Sequence, residues 1–126
     1  MNILVLNGSP RPQGETANMV SAFKNAAEKA GHEVRVIEVC RLNIRGCLAC
    51  EYCHGKGRGV CAQKDDMRQI YDALPETDML VLASPIYYHN ISGQLKCVID
   101  RFYAALFPEK PETASRFLRI FSSEMS

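Results

Sequence analysis

The chain contains no tryptophan and no apolar stretch long enough to cross a bilayer. Its longest apolar runs, Ile3 to Leu6 and Met79 to Ala83, fall far short of the roughly 20 residues a membrane helix needs, and short of the core of a secretory leader. An excess of one charge is also missing. Fifteen Lys and Arg stand against 14 Asp and Glu for a net charge of +1, and the two signs are interleaved. That leaves no basic footprint for nucleic acid or for an anionic membrane. Repeats and low-complexity linkers are absent as well. These absences point to a cytoplasmic protein with a small-molecule partner.

What is present fits one domain. At 126 residues, 47% of them hydrophobic, the chain can bury about two-thirds of its unfolded surface. Ile3-Leu-Val-Leu6 is a continuous apolar run ending at Asn7-Gly8, the pattern of a strand buried on both faces. From Thr16 the apolar residues Val20, Phe23, Ala27 and Ala30 recur three or four apart, and Gly31 supplies a C-terminal stop, so a helix is expected. Glu33 to Val39 reads as a second strand. Asp65 then caps a second helix bearing Met67, Ile70 and Leu74, which Pro75 ends. Met79 to Ala83 forms a third buried strand. A last helix starts near Ser92, with Leu95, Val98, Ile99, Phe102 and Leu106 on one face. Alternating strands and helices imply parallel strands joined by crossovers.

The first strand opens into Gly8-Ser-Pro-Arg-Pro-Gln-Gly-Glu-Thr16, a glycine- and hydroxyl-rich loop at a helix N-terminus, where anions bind. A P-loop would need Lys where Glu15 stands. A dinucleotide fingerprint would need glycine where Pro10 stands. A phosphate monoester remains, held by backbone amides along the stretch that includes Ala17, the hydroxyls of Ser9 and Thr16, the Asn18 amide and the Arg11 guanidinium. The simpler alternative is a capped helix preceded by a tight turn.

After the third strand comes Ser84-Pro-Ile-Tyr-Tyr-His-Asn90, at the strand's C-terminal end, the side on which ligands bind in parallel sheets. Pro85, Ile86, Tyr87 and Tyr88 can offer a flat, partly apolar edge to a ring system. In the alternative the tyrosines merely cap the loop, and His89 is a solvated side chain or a proton donor.

Four of the six cysteines, Cys47, Cys50, Cys53 and Cys61, crowd into fifteen residues between the second strand and the second helix. In a reducing compartment such a run argues for metal or redox chemistry over structural disulfides. An iron-sulfur cluster takes four such thiolates. His54, Lys56 and Arg58 beside the fourth ligand would offset a cluster's negative charge. Structural zinc is the competing ligand, although it usually draws two separated pairs, and a redox disulfide is a third reading. Cys40 and Cys97 are expected to be ordinary buried thiols.

From residue 1 to about 107 these motifs resemble the flavodoxin-like NADPH-dependent FMN reductases and, through the cysteines, the iron-sulfur flavoproteins. The resemblance implies that Asn7-Gly-Ser-Pro-Arg11 holds the FMN phosphate, that Ser84 to Tyr88 line the isoalloxazine, and that a [4Fe-4S] cluster lies beside it. Lys64-Asp-Asp-Met67 and Leu95 to Arg101 also look like family signatures, the second a helix that tends to lie at the subunit interface. The implied fold is α/β, a flavodoxin-like parallel sheet of strand order 2-1-3-4-5 with helices on both faces.

Residues 1–107 would form the FMN-binding domain with a cysteine-rich loop at 40–64, and 108–126 an atypical tail. No further strand is legible after Phe107. The third strand is therefore expected to be a bare edge, and Tyr103, Phe107, Phe117 and Phe121 to lack cover, which implies a homodimer or homotetramer. The functional expectation is an FMN-dependent oxidoreductase fed by NAD(P)H or ferredoxin. The alternative is a non-enzymatic electron-carrier or oligomerisation module with structural zinc.

Overall fold

The computed structural model describes residues 1–107 and the backbone of 117–123. Strand β1 (Asn2–Asn7) pairs in parallel with β2 (Glu33–Glu38) on one edge and β3 (Met79–Pro85) on the other. Side chains alternate across a strand, so β1 feeds two separate cores. Leu4 and Leu6 pack with Met67 and Ile70 of α2 (Met67–Ala73) and with Leu95 and Val98 of α3 (Gly93–Arg101). Ile3 and Val5 pack with Val81, Ala83 and Val20 on the opposite face, under α1 (Glu15–Lys29). A strand covered on both sides has no polar face to offer, which is why its sequence is unbroken Ile-Leu-Val-Leu.

Two helix boundaries fall where the sequence puts them, and two helices end early: α2 stops at Ala73, one residue before Leu74, and α3 at Arg101 rather than Leu106. Gly31 follows α1 at φ +90°, a conformation a side chain would strain. Ser92 caps α3, its hydroxyl accepting from the Leu95 amide at 3.3 Å. Past Arg101 the helix tightens into a 3₁₀ turn over Phe102–Leu106, and Leu106, expected on the buried face, is 37% exposed.

The far edge of the sheet differs from the sequence expectation. Strand β4 (Phe117–Ser123) pairs in parallel with β3, and the order is β2-β1-β3-β4. The third strand is thus covered, with a register irregularity between Leu80 and Val81. A fifth strand does not occur among the described residues. The rest of the expected tail, residues 108–116 and 124–126 and the side chains of Phe117 and Phe121, lies outside the described residues. Strand order reverses between β1 and β3, while all strands stay parallel, so the C-terminal strand ends at that switch point frame a crevice. Among the described residues no helix is long and apolar enough to cross a membrane.

Candidate cofactor site at the C-terminal edge of the sheet

Three loops leave the sheet on one edge: 8–14 after β1, 39–66 after β2 and 86–92 after β3. The first and third are joined at Gly8. Its amide donates to the Ala83 carbonyl at 2.7 Å, and a β-carbon there would stand 2.8 Å from Leu95 Cβ and 2.9 Å from Ser92 Oγ. Only glycine lets the two loops close on each other.

Within the first loop, the Ser9 amide donates to Asn7 Oδ1 at 2.9 Å and the Arg11 amide to Ser9 Oγ at 3.2 Å. Ser9 and Thr16 are buried, whereas Arg11 and Asn18 are exposed and Ala17 is half-buried. Of the capped-helix alternative, the tight turn is present, closed by Asn7 and Ser9, but the side-chain cap is not. Gly14 holds the cap position of α1 without a side chain to close it, and the first helical bond runs from the Asn18 amide to the Gly14 carbonyl at 3.1 Å. A helix start with no side-chain cap presents its positive end to a ligand.

The third loop is a two-residue reversal. The Tyr87 amide donates to the Asn90 carbonyl at 2.8 Å and the Asn90 amide returns to the Tyr87 carbonyl at 3.1 Å. Tyr88 (φ +48°) and His89 (φ +67°) both occupy the left-handed region, the signature of a type I′ turn that Asn and Gly normally fill. Pro85 is buried, Ile86 and Tyr87 are half-buried, and Tyr88 stands 96% exposed with its ring 5.7 Å from that of His89. The buried Ser84 hydroxyl fastens the base of the turn, donating to the Pro85 carbonyl at 2.8 Å and accepting from the Ser92 amide at 2.9 Å.

In the cysteine loop Cys47 and Cys50 are exposed, Cys61 is half-buried and Cys53 is buried. Burial pushes the Cys53 thiol up, and Cys61, Cys47 and Cys50 push in the same direction, so the other three sulfurs lie within electrostatic reach of Cys53. Among the described residues, no three or more His, Cys, Asp or Glu side chains converge on one metal-binding point. Two backbone donors nonetheless aim at sulfur: the Ala49 amide at Cys47 Sγ (3.3 Å) and the Gln63 amide at Cys61 Sγ (3.4 Å). Amide hydrogen bonds to sulfur accompany cluster ligation, and a four-thiol set suits iron-sulfur or zinc.

Ala49, Glu51 and Arg58 in this loop, with Tyr88 and His89, are the five non-glycine residues of positive φ among those described. Backbone strain gathers in functional segments, and here it falls in the cysteine and tyrosine loops alone.

Several expectations need correction. His54 does not simply lend charge to the fourth cysteine. Its ring lies on that of Tyr103, with centroids 3.9 Å apart and planes 14° apart, and its Nε2 is 2.8 Å from the Tyr103 carbonyl. Tyr103 and Phe107, thought to lack cover, are covered by this loop, the Phe107 ring meeting His54 edge-on at 5.6 Å. Cys40 and Cys97 are half-buried rather than buried. Cys40 Sγ donates to the Gly8 carbonyl at 3.3 Å, which sequence reasoning did not foresee, and burial followed by the nearby Glu38 carboxylate pushes this thiol up.

The most consequential feature missed by sequence reasoning is a buried ion pair. Arg101 at the end of α3 grips Asp65 with both nitrogens, Nη1 to Oδ2 at 2.7 Å and Nη2 to Oδ1 at 3.1 Å. Both side chains are about 1–2% exposed. Burial alone would push the Asp65 carboxyl up, but hydrogen bonds from Arg101 and from the Arg45 and Met67 amides outweigh it and hold the group below its ordinary value. Burial chiefly pushes the adjoining Tyr71 hydroxyl up to about 12, and that hydroxyl donates to the Arg101 carbonyl at 2.6 Å.

An α/β sheet with ligand loops at its switch point defines a flavodoxin-like protein, and comparison with known proteins gives the family. Residues 1–119 match the NADPH-dependent FMN reductase family, and the chain belongs to it. It is 41% identical over 106 residues to an iron-sulfur flavoprotein of Methanocaldococcus jannaschii, covering 84% of this chain and 52% of that one. An iron-sulfur flavoprotein of Archaeoglobus fulgidus is 37% identical over 101 residues, covering 80% and 45%. The chain therefore spans about half the length of these curated relatives. Among solved structures, the NAD(P)H:quinone oxidoreductase of Methanothermobacter marburgensis superposes with a TM-score of 0.67 at 22% identity, covering 82% of this chain and 53% of that one. A Streptococcus mutans protein also gives 0.67, at 17% identity, covering 99% and 87%. At these identities the superpositions speak for the fold.

Proposed function

We propose that this chain is the FMN- and cluster-binding part of a cytoplasmic oxidoreductase that passes electrons between a reduced donor, NAD(P)H or a ferredoxin, and an acceptor. The observation that carries the reading is the meeting of three loops on one sheet edge: a phosphate-type loop, a tyrosine loop locked to it through Gly8, and a four-thiol loop from the neighbouring strand. When bound, FMN supplies a two-electron centre and a [4Fe-4S] cluster a one-electron centre.

The chain's own task is orientation. The uncapped start of α1 with Ser9, Arg11, Thr16, Ala17 and Asn18 holds the phosphate. Pro85, Ile86, Tyr87 and Tyr88 bound the ring, and Cys47, Cys50, Cys53 and Cys61 hold the iron. No side chain need act as a nucleophile or general base. The whole protein works as a homo-oligomer, a dimer or tetramer, in keeping with the family resemblance.

Anaerobic reconstitution tests the reading. Iron and acid-labile sulfide should each approach about four per chain with FMN bound, and Cys50→Ser should abolish the cluster while sparing FMN. One zinc per chain without sulfide or flavin would favour the structural module instead.

A further inference from the structure

The cysteine loop is closed at its base by a short ladder built mostly from side chains. The incoming segment, residues 43–46, runs antiparallel to the outgoing segment, residues 63–66. At the outermost rung the Asp66 amide donates to the Asn43 carbonyl at 3.1 Å, and the Asn43 amide donates to Asp66 Oδ2 at 2.7 Å. At the middle rung the Arg45 amide donates to Asp65 Oδ2 at 3.2 Å, and Arg101 Nη1 donates to the Arg45 carbonyl at 2.8 Å. At the innermost rung Gln63 Nε2 donates to the Gly46 carbonyl at 2.9 Å. The next residue inward on one side is Cys47, and two residues inward on the other is Cys61.

A helix-capping role for the ion pair explains part of this arrangement. Asp65 Oδ1 accepts from the Met67 amide at 3.1 Å at the start of α2, and Arg101 ends α3. It does not explain why the pair satisfies both backbone groups of Arg45, a residue outside every helix. Nor is stability a sufficient reason for burying these charges. A buried ion pair is often no better than packed apolar side chains, and Arg101 Nε is buried without a hydrogen-bond partner, a further cost. Apolar replacements would lose direction: they could not hold an amide and a carbonyl of one residue at once.

We propose that Asp65 and Arg101, seconded by Gln63, are positioning residues that hold the first and last cysteines of the loop at a fixed separation before any metal arrives. The inference rests on the cysteine loop being the metal site proposed above. The pair anchors this base to the core, because Asp65 precedes α2 and Arg101 terminates α3, and both helices pack on β1. Loop residues 47–62 then need order only themselves around a metal, and the ordering cost at binding falls.

The test uses the full chain, metal-free under anaerobic reduction, with Arg101→Lys and Gln63→Ala. Arg101→Lys keeps the charge but loses the fork that serves Asp65 and Arg45 together. Gln63→Ala removes the innermost rung and leaves the ion pair untouched. Amide hydrogen exchange of residues 45–63 is read first, then Cd²⁺ titration followed by thiolate-to-metal absorption, with FMN affinity and midpoint of unfolding as controls.

The expected result for Arg101→Lys is faster exchange confined to 45–63 and Cd²⁺ affinity lower by about tenfold or more, with FMN affinity unchanged. Gln63→Ala should do the same to a smaller degree. Unchanged loop exchange in both variants overturns the proposal. So does an Arg101→Lys protein that loses FMN, Cd²⁺ and its folded signal together while Gln63→Ala leaves the loop unaltered, since the pair would then be a general support. If the parent chain binds no Cd²⁺ through its thiols, the metal-site reading fails, and exchange in the metal-free chain still decides whether the ladder positions the loop.

Discussion

His54 lies flat on Tyr103, ring centroids 3.9 Å apart, and so fastens the middle of the cysteine loop to the 3₁₀ turn that follows α3. The contact is doubled on the other ring. Tyr103 donates its hydroxyl to Glu51 Oε2 at 2.8 Å, drawing the residue between Cys50 and Tyr52 onto the same turn. Replacing His54 by Ala removes a stacked pair and a hydrogen bond, and should lower unfolding free energy by about 1–2 kcal/mol. Urea unfolding should show that loss. Limited proteolysis should cut first between Glu51 and Gly59.

Gly8→Ala should damage both proposed flavin loops at once. Its β-carbon would meet Leu95 Cβ at 2.8 Å and Ser92 Oγ at 2.9 Å, neither of them the far end of a flexible chain. The expected cost is about 1–3 kcal/mol, read by thermal unfolding, with weakened FMN binding in whatever protein remains folded.

The pair Ser9→Ala and Thr16→Val tests the phosphate site. Thr16 is 1% exposed and Val matches its shape, so the fold should survive. Each lost charge-assisted hydrogen bond costs about 1.5–3 kcal/mol of FMN binding. Isothermal titration with FMN and with riboflavin separates phosphate from ring contacts: the variant should lose affinity for FMN and leave riboflavin unchanged.

Acid should unmask the Asp65 pair. Its carboxyl is held below the ordinary value of 3.8, so its contribution to stability is complete above that value and is lost as the pH falls through the native-state value. Asp65→Asn should flatten this acid limb and lower stability at neutral pH by about 3–5 kcal/mol, because it strands the Arg101 guanidinium. Denaturant midpoints between pH 2 and about pH 7 would reveal a parallel rather than converging pair of curves if the carboxyl were not involved.

Tyr88→Asn with His89→Gly should stabilise the chain. Two side chains in left-handed positions cost on the order of 1–3 kcal/mol each, and the Asn-Gly pair suits a type I′ turn. A gain in melting temperature accompanied by weaker FMN binding would mark Tyr88 as a ring contact. A gain with unchanged binding would confine the flavin edge to Pro85, Ile86 and Tyr87.

Strands β1 and β3 were legible because burial on both faces leaves an unbroken apolar run, as in Ile3 to Leu6, and edge strand β2 because Val34, Val36 and Ile37 crowd between Glu33 and Glu38. Strand β4 was not, because Phe117, Leu118, Ile120 and Phe121 satisfy helical spacing as well as strand composition. Its pairing with β3 is a long-range choice that local pattern does not encode. The site divides in the same way. The cysteines and the glycine-hydroxyl loop announce themselves by spacing. Asp65 and Arg101 are 36 residues apart, and nothing in either neighbourhood says they will meet. The type I′ turn was hidden because it uses Tyr-His where a hairpin rule asks for Asn-Gly.

Gly8 carries one more consequence. Its missing side chain lets the phosphate-type loop rest directly on Leu95 and Ser92, so the two loops proposed to grip the ends of an FMN molecule share one support. The relative placement of the two loops is set by the seating of α3 against the residue that follows β1. With both loops seated on α3, a displacement of that helix would move the proposed anion anchor and the proposed ring edge together.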